Sequence, residues 1–229
     1  MNHHEKDADP GSARLQPGAI GWHSRGYLPH FNSPHAVQHV TFHLADSLPA
    51  EVLLRFEAEL RASPFALRDI ERRKLIETWI DAGHGSCVLR DAKVAHMVEA
   101  SLVRFDGERY RLFAWVVMPN HVHVLFQTLG VWTMARIVAS WKSFTGRRIN
   151  AMKRPQRDQG RTEPCVWYRE YWDRYIRNER HFRKAVEYIH NNPVKARLVQ
   201  SPEEWPWSTA RLEPGAPRVP QVSRCRSDR

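Results

Sequence analysis

Along residues 37–44, Gln38, Val40, Phe42 and Leu44 alternate with Val37, His39, Thr41 and His43. This period of two predicts a strand with one clearly apolar face. Ser47 as an N-cap and Pro49 in the first turn then open a helix carrying Leu53, Phe56 and Leu60, which Pro64 ends. A second helical pattern over 66–80 stops at Gly83-His84-Gly85, and a third over 92–103 carries Val94, Val98 and Leu102. These two make a helical insertion before the sheet resumes. Asp106-Gly107 signals a turn, and residues 110–118 are apolar on both faces, the pattern of a central strand. Pro119-Asn120 interrupts it. From His121 to Gln127 alternation returns, with Val122, Val124 and Phe126 on one face and His121, His123, Leu125 and Gln127 on the other. Two strands joined so closely predict an antiparallel hairpin.

Helical spacing reappears over 134–149, and a loop containing Pro, Gln and Gly spans about 153–164. A further helix over 181–190 has Phe182, Ala185, Val186 and Ile189 as its apolar side and Asn178 as its cap. Its end near Pro193 stays open, because the residue before a proline is pushed away from the helical region. Residues 1–34 lack periodicity and read as an extension, loosely ordered before Trp22. Residues 35–200 read as one domain, and 201–229 as a C-terminal tail with turn-forming Pro214, Gly215 and Pro217 and disorder expected past Leu212.

Composition narrows the class. The 229 residues are 42% hydrophobic and 26% charged, near the averages for folded globular chains. Mean hydropathy is −0.59. No apolar run approaches the roughly 20 residues that cross a bilayer, and the N-terminus is polar, so a soluble chain without signal peptide or membrane partner is expected. Cys87, Cys165 and Cys225 form no CxxC pair, which suits a reducing compartment, the cytoplasm. The net charge of +10 is uneven: residues 131–200 hold 16 Lys+Arg against 6 Asp+Glu, a net +10, and the rest balances. So concentrated a basic region points to a polyanion, nucleic acid before an acidic membrane surface.

Candidate chemistry begins with His121 and His123. Positions i and i+2 of a strand share a face, so both imidazoles project together, which suits equally a metal platform and two histidines on an exposed face. Tyr188 and Asn192, four apart, share a helix side if the helix persists that far, placing a phenol beside an amide oxygen. Locally, a packed tyrosine ring and a C-cap asparagine explain them as well. His39 and His43 share a face of the first strand, where a structural role is the simpler reading.

These residues sit in stretches that resemble a known family. Trp115-Val-Val-Met-Pro-Asn-His-Val-His-Val-Leu-Phe is similar to the strand motif of the IS200-like single-tyrosine transposases. Tyr171-Trp-Asp-Arg-Tyr-Ile-Arg-Asn, then Tyr188-Ile-His-Asn-Asn-Pro-Val-Lys-Ala-Arg-Leu-Val and Trp205-Pro-Trp-Ser-Thr-Ala, resemble the C-terminal half of its REP-associated branch. Gly26-Tyr-Leu-Pro-His-Phe and Thr41-Phe-His-Leu-Ala-Asp-Ser-Leu-Pro also look like that branch, so that the resemblance runs over about residues 22–210. It implies an α+β fold: a ferredoxin-like antiparallel sheet with helices, the HUH-type single-tyrosine nuclease fold, here with a helical insertion. It also implies that His121, His123 and Asn192 hold Mg²⁺ or Mn²⁺ and that Tyr188 is the nucleophile. Related IS200-type enzymes carry Gln where Asn192 stands. His190, the other candidate ligand, points roughly 200° around the helix from Tyr188.

The implied activity is cleavage and rejoining of single-stranded or hairpin repeat DNA through a covalent 5′-phosphotyrosine, by a monomer or homodimer. A phenol of ordinary pKa about 10 is a poor nucleophile, and a phosphodiester repels anions. A metal answers the second problem by withdrawing charge from a non-bridging oxygen, and can position the tyrosine for in-line attack. No GxxxxGK[ST] phosphate loop is present, in keeping with a reaction that conserves bond energy. Lys142, Arg147, Arg148, Arg174, Arg177, Lys195 and Arg197, interleaved with Trp167, Tyr168, Tyr171, Trp172 and Tyr175, suit a strand with exposed phosphates and bases. For most of these aromatics taken singly, packing in the core is the expected role. The competing readings are a catalytically silent hairpin-DNA-binding protein and an RNA-binding module.

Overall fold

The computed structural model describes residues 21–24, 29–32, 36–48, 51–52, 77–153 and 165–212. Most of the helices expected over 47–64 and 66–80, the loop at 154–164 and the chain beyond Leu212 lie outside them. Strands β1 (Gly21–Ser24) and β2 (Pro29–Asn32) pair antiparallel as a hairpin inside the segment read as an extension.

The main sheet has four strands: β3 (Val37–His43), β4 (Tyr110–Val117), β5 (His121–Thr128) and β6 (Trp172–Tyr175). Their order is β4-β5-β3-β6, antiparallel throughout. With helices packed on both faces this is the α+β architecture expected. One expectation is corrected. β4 lies at an edge of the sheet rather than its centre, and its apolar residues are buried on both faces because helices cover both. The central strands are β5 and β3.

Alternation along each strand divides the core. Val40, Phe42, Val122, Val124 and Phe126 pack under α1 (Ala92–Val103) and α2 (Met134–Lys153), against Val98, Leu102, Ile137 and Trp141. Asp91 starts α1 by accepting the backbone N–H groups of Lys93 and Val94, which helical bonding leaves unpaired. On the other face, Ala114, Val116 and Leu125 pack under α3 (Glu179–Lys195), against Phe182, Ala185 and Ile189. Asn178 caps α3, accepting from the His181 N–H at 2.9 Å. The helix runs through Pro193, so the end left open by the pattern falls at Ala196.

Residues 201–212, read from sequence as part of the tail, pack along the outer edge of β4. Val116 bridges to Ser208, and the Val117 N–H donates to the Trp207 carbonyl at 2.9 Å. Trp205 is buried and its Nε1 donates to the Val117 carbonyl at 3.0 Å. Thr209 Oγ1 accepts from the Trp115 N–H at 3.0 Å and donates to the Trp115 carbonyl.

Candidate active site

The face of the sheet under α3 carries the polar residues. Register sets His43 beside His121 and Thr41 beside His123 across β3 and β5, with Trp172 of β6 on the other side of Thr41. His121 and His123 are both 1% exposed, so they are not a pair of surface histidines. Their rings stand edge-on, with centroids 4.8 Å apart.

Each imidazole is held through Nδ1. The Asn120 amide donates to the carbonyls of Ile80 at 3.0 Å and His84 at 3.1 Å, which turns its Oδ1 toward His121 Nδ1, 2.8 Å away. A carbonyl oxygen only accepts, so His121 Nδ1 carries the proton and Nε2 keeps its lone pair. His123 Nδ1 lies 2.8 Å from Thr41 Oγ1 and 3.2 Å from His39 Nε2, leaving Nε2 inward beside the Asn192 amide at 3.3 Å. Anchoring one ring nitrogen so that the other presents a lone pair is the usual support of a metal-binding histidine. Gly85 helps deliver the acceptors for Asn120. Its φ is +89°, and a Cβ there would sit 2.5 Å from the Asp46 carbonyl oxygen.

α3 brings Tyr188, Asn192 and Lys195 to one side at spacings of four and three. The Tyr188 ring lies edge-on to His123 with centroids 5.3 Å apart, and 5.7 Å from His39. His121 Nε2, Asn192 Oδ1 and Tyr188 Oη are buried there without a hydrogen-bond partner. A residue with no sequence signal completes the group: Asp81 Oδ1 is 3.8 Å from His121 Nε2, and Oδ2 is 2.5 Å from Lys195 Nζ. Donor atoms of Asp81, His121 and His123 lie within 4.8 Å of one another. Two imidazoles with carboxylate and amide oxygens form a donor set suited to a divalent cation. The open lone pairs of His121 and Asn192 fit that role. His190 is turned away, its Nε2 2.9 Å from Thr209 Oγ1.

Burial governs protonation here. It lowers His43 and His121 to about 3 and holds His123 well below the ordinary imidazole value, so these imidazoles are neutral at neutral pH. Burial first, then the Glu77 and Asp81 carboxylates, push the Tyr188 phenol above its ordinary value. A cleft of about 220 Å³ opens beside Tyr188, lined among others by His39, Thr41, Trp172, Arg174 and Lys184.

The cations expected to meet nucleic acid divide. Arg174, Arg177, Lys195 and Arg197 are exposed, on β6, α3 and the segments that flank α3. Arg147 and Arg148 are exposed on α2, which covers the opposite face of the sheet. Lys142 is corrected: its Nζ donates to the carbonyls of Tyr168 at 2.6 Å and Arg169 at 2.8 Å, and burial lowers it to about 8. That ammonium holds a loop. Trp167 and Tyr171 are core residues at 3% and 5% exposure, so they offer no platform for bases.

Comparison with known proteins matches residues 88–192 to the family model "Transposase IS200 like". Residues 88–192 are thus similar to an IS200-like transposase domain. That segment holds His121, His123, Tyr188 and Asn192, while Asp81 precedes it. A REP-associated tyrosine transposase of Escherichia coli K12 is 29% identical over 114 residues, 49% of this chain and 62% of that protein. A relative from Haemophilus influenzae is 26% identical over 112 residues, 44% of this chain and 58% of its own length. The matches thus span about three fifths of each relative. Among solved structures, a REP-associated tyrosine transposase bound to a REP hairpin superposes with a TM-score of 0.52 at 17% identity, covering 82% of this chain and 84% of that one, which supports the same fold.

Proposed function

We propose that the protein is a metal-dependent DNA strand transferase that cleaves and rejoins single-stranded or hairpin repeat DNA, with Tyr188 as nucleophile. One observation carries the reading. The buried Tyr188 hydroxyl lies without a partner beside two further open donor atoms, His121 Nε2 and Asn192 Oδ1, at the edge of a cleft whose wall sets Arg174 and Lys184 alongside Glu77 and Asp173. The similarity to an IS200-like domain supports it, as does the hairpin bound by the structural relative.

His121, His123 and Asn192, with Asp81 beside them, would hold Mg²⁺ or Mn²⁺. When bound, the ion supplies charge withdrawal at a non-bridging phosphate oxygen. The chain's own residues do the rest. Asn120 and Thr41 hold the two imidazoles in the tautomer that presents Nε2. Arg174 and Lys184, in the wall of the cleft, draw the phosphate backbone toward the tyrosine, and Arg177, Arg197 and Lys195 extend that cationic track. Tyr188 Oη attacks phosphorus, the P–O3′ bond breaks, and the phenolic proton ends on the departing 3′ oxygen. The products are a 5′-phosphotyrosine and a free 3′-hydroxyl, and a 3′-hydroxyl returning to the same phosphorus rejoins the strand without an added energy source.

Incubation with single-stranded hairpin repeats and Mg²⁺ or Mn²⁺, followed by a denaturing gel, tests this. A protein–DNA adduct mapping to Tyr188 and lost in Tyr188→Phe, with DNA binding retained, is the expected result. An adduct on another tyrosine overturns the assignment. Tight hairpin binding with neither adduct nor cleavage identifies a silent binder, and hydrolysis without an adduct points to water as nucleophile.

A further inference from the structure

The two carboxylate oxygens of Asp81 face different groups. Oδ1 stands 3.8 Å from the buried lone pair of His121 Nε2, an acceptor facing an acceptor, and Oδ2 holds Lys195. The carboxylate is 14% exposed while Lys195 is 59% exposed, so one partner is fixed and the other free to leave. The placement of Asp81 is also supported from behind, because the Ile80 carbonyl next to it accepts from the Asn120 amide that orients His121. Resting on the reading above, we propose that Asp81 is a fourth anchor of the divalent ion, beside His121, His123 and Asn192, and that ion and Lys195 compete for it, so that loading the metal releases the Lys195 ammonium toward the DNA backbone.

The physical basis is charge. A dication among His121, His123 and Asn192 would stand at the carboxylate now neutralised by a single ammonium, and close proximity of the two cations is unfavourable. Lys195 ends α3, seven residues beyond Tyr188, and its Nζ is 5.7 Å from the centre of the Tyr188 ring. Released from Asp81, it stays beside the tyrosine that meets the scissile phosphate. Metal binding and DNA binding would therefore reinforce each other through one shared carboxylate.

Mn²⁺ titration followed by electron paramagnetic resonance, on the full chain without DNA, tests the arrangement in the wild type, His121→Ala, Asp81→Asn, Lys195→Gln and the Asp81→Asn/Lys195→Gln double variant. Asp81→Asn should weaken Mn²⁺ binding by about tenfold or more. Lys195→Gln should tighten it, by up to about fivefold for an ion pair half in water. In the double variant that gain should vanish. Wild-type binding that is lost in His121→Ala but unchanged in Asp81→Asn overturns the role of Asp81 and leaves the metal site standing. A Lys195→Gln gain that persists in the Asp81→Asn background reflects a general field and overturns the competition. No Mn²⁺ binding by the wild type overturns the site and the competition together. Circular dichroism of each variant separates these outcomes from loss of fold.

Discussion

The two faces of the central sheet are built from the same strands, and one residue of offset changes their chemistry. On the α1/α2 face, two buried indoles find partners inside the fold. The Trp141 Nε1 donates to the Tyr110 hydroxyl, which donates to the Leu102 carbonyl, and Trp167 Nε1 donates to Thr145 Oγ1, which donates to the Trp141 carbonyl. On the α3 face, His43 Nε2, His121 Nε2, Asn192 Oδ1 and Tyr188 Oη are buried and left open. An open buried polar atom costs roughly 1–3 kcal/mol. The first face stores stability, and the second gives some up to hold donors ready for a ligand.

That contrast can be broken most forcefully through Phe42, fully buried between Trp141 and Trp167. Phe42→Ala should cost about 3–5 kcal/mol in chemical denaturation. His123→Ala, directed to the other face from the neighbouring strand, should cost about 1 kcal/mol while removing metal binding. Equal losses of stability would mean that both faces are structural.

Acid provides the next test. His43, His121 and His123 are held neutral by burial, whereas in the unfolded chain they take up protons below about 6.5. Between that pH and about 3 the unfolded state binds more protons, so stability is present above about 6.5 and is lost as pH falls. Each histidine that stays neutral contributes up to about 1.4 kcal/mol per pH unit, and melting temperature measured from pH 7 to pH 4 should fall accordingly. A flat profile would show that these imidazoles are not kept neutral. Asn120→Ala sharpens the comparison at a single residue. Losing its bridge to Ile80, His84 and His121 should cost about 1–3 kcal/mol and weaken Mn²⁺ binding by about tenfold, because His121 then loses its orientation. Smallest is the effect of Lys142→Gln, expected to cost about 1 kcal/mol and leave the salt dependence of DNA binding unchanged, whereas Arg197→Gln should lower the slope of log affinity against log salt by about 0.7.

Strand alternation made β3, β5 and the shared face of His121 and His123 readable, and the side of α3 carrying Tyr188 and Asn192 followed from their spacing. Asp81 was not readable. It lies 40 residues before His121 in a segment with no motif, and only the Asn120 bridge to Ile80 and His84 shows why the two meet. β4 was misplaced because an apolar stretch records that both faces are covered, which holds at an edge as well as in the centre. Lys142 resembled its basic neighbours because composition carries no information about the carbonyls of a distant loop. For the same reason Arg147 and Arg148 joined Arg174 in one sequence cluster although helix and sheet set them on opposite sides.

The strip at 201–212 has a consequence for assembly. Because Ser208, Trp207 and Thr209 already occupy hydrogen-bonding positions of β4 from Trp115 to Val117, that edge offers no template for another strand there. A strand from a second copy could pair with Trp115–Val117 only after Trp205 and the residues around it peel away, so the strip acts as a built-in terminator at that end of the strand.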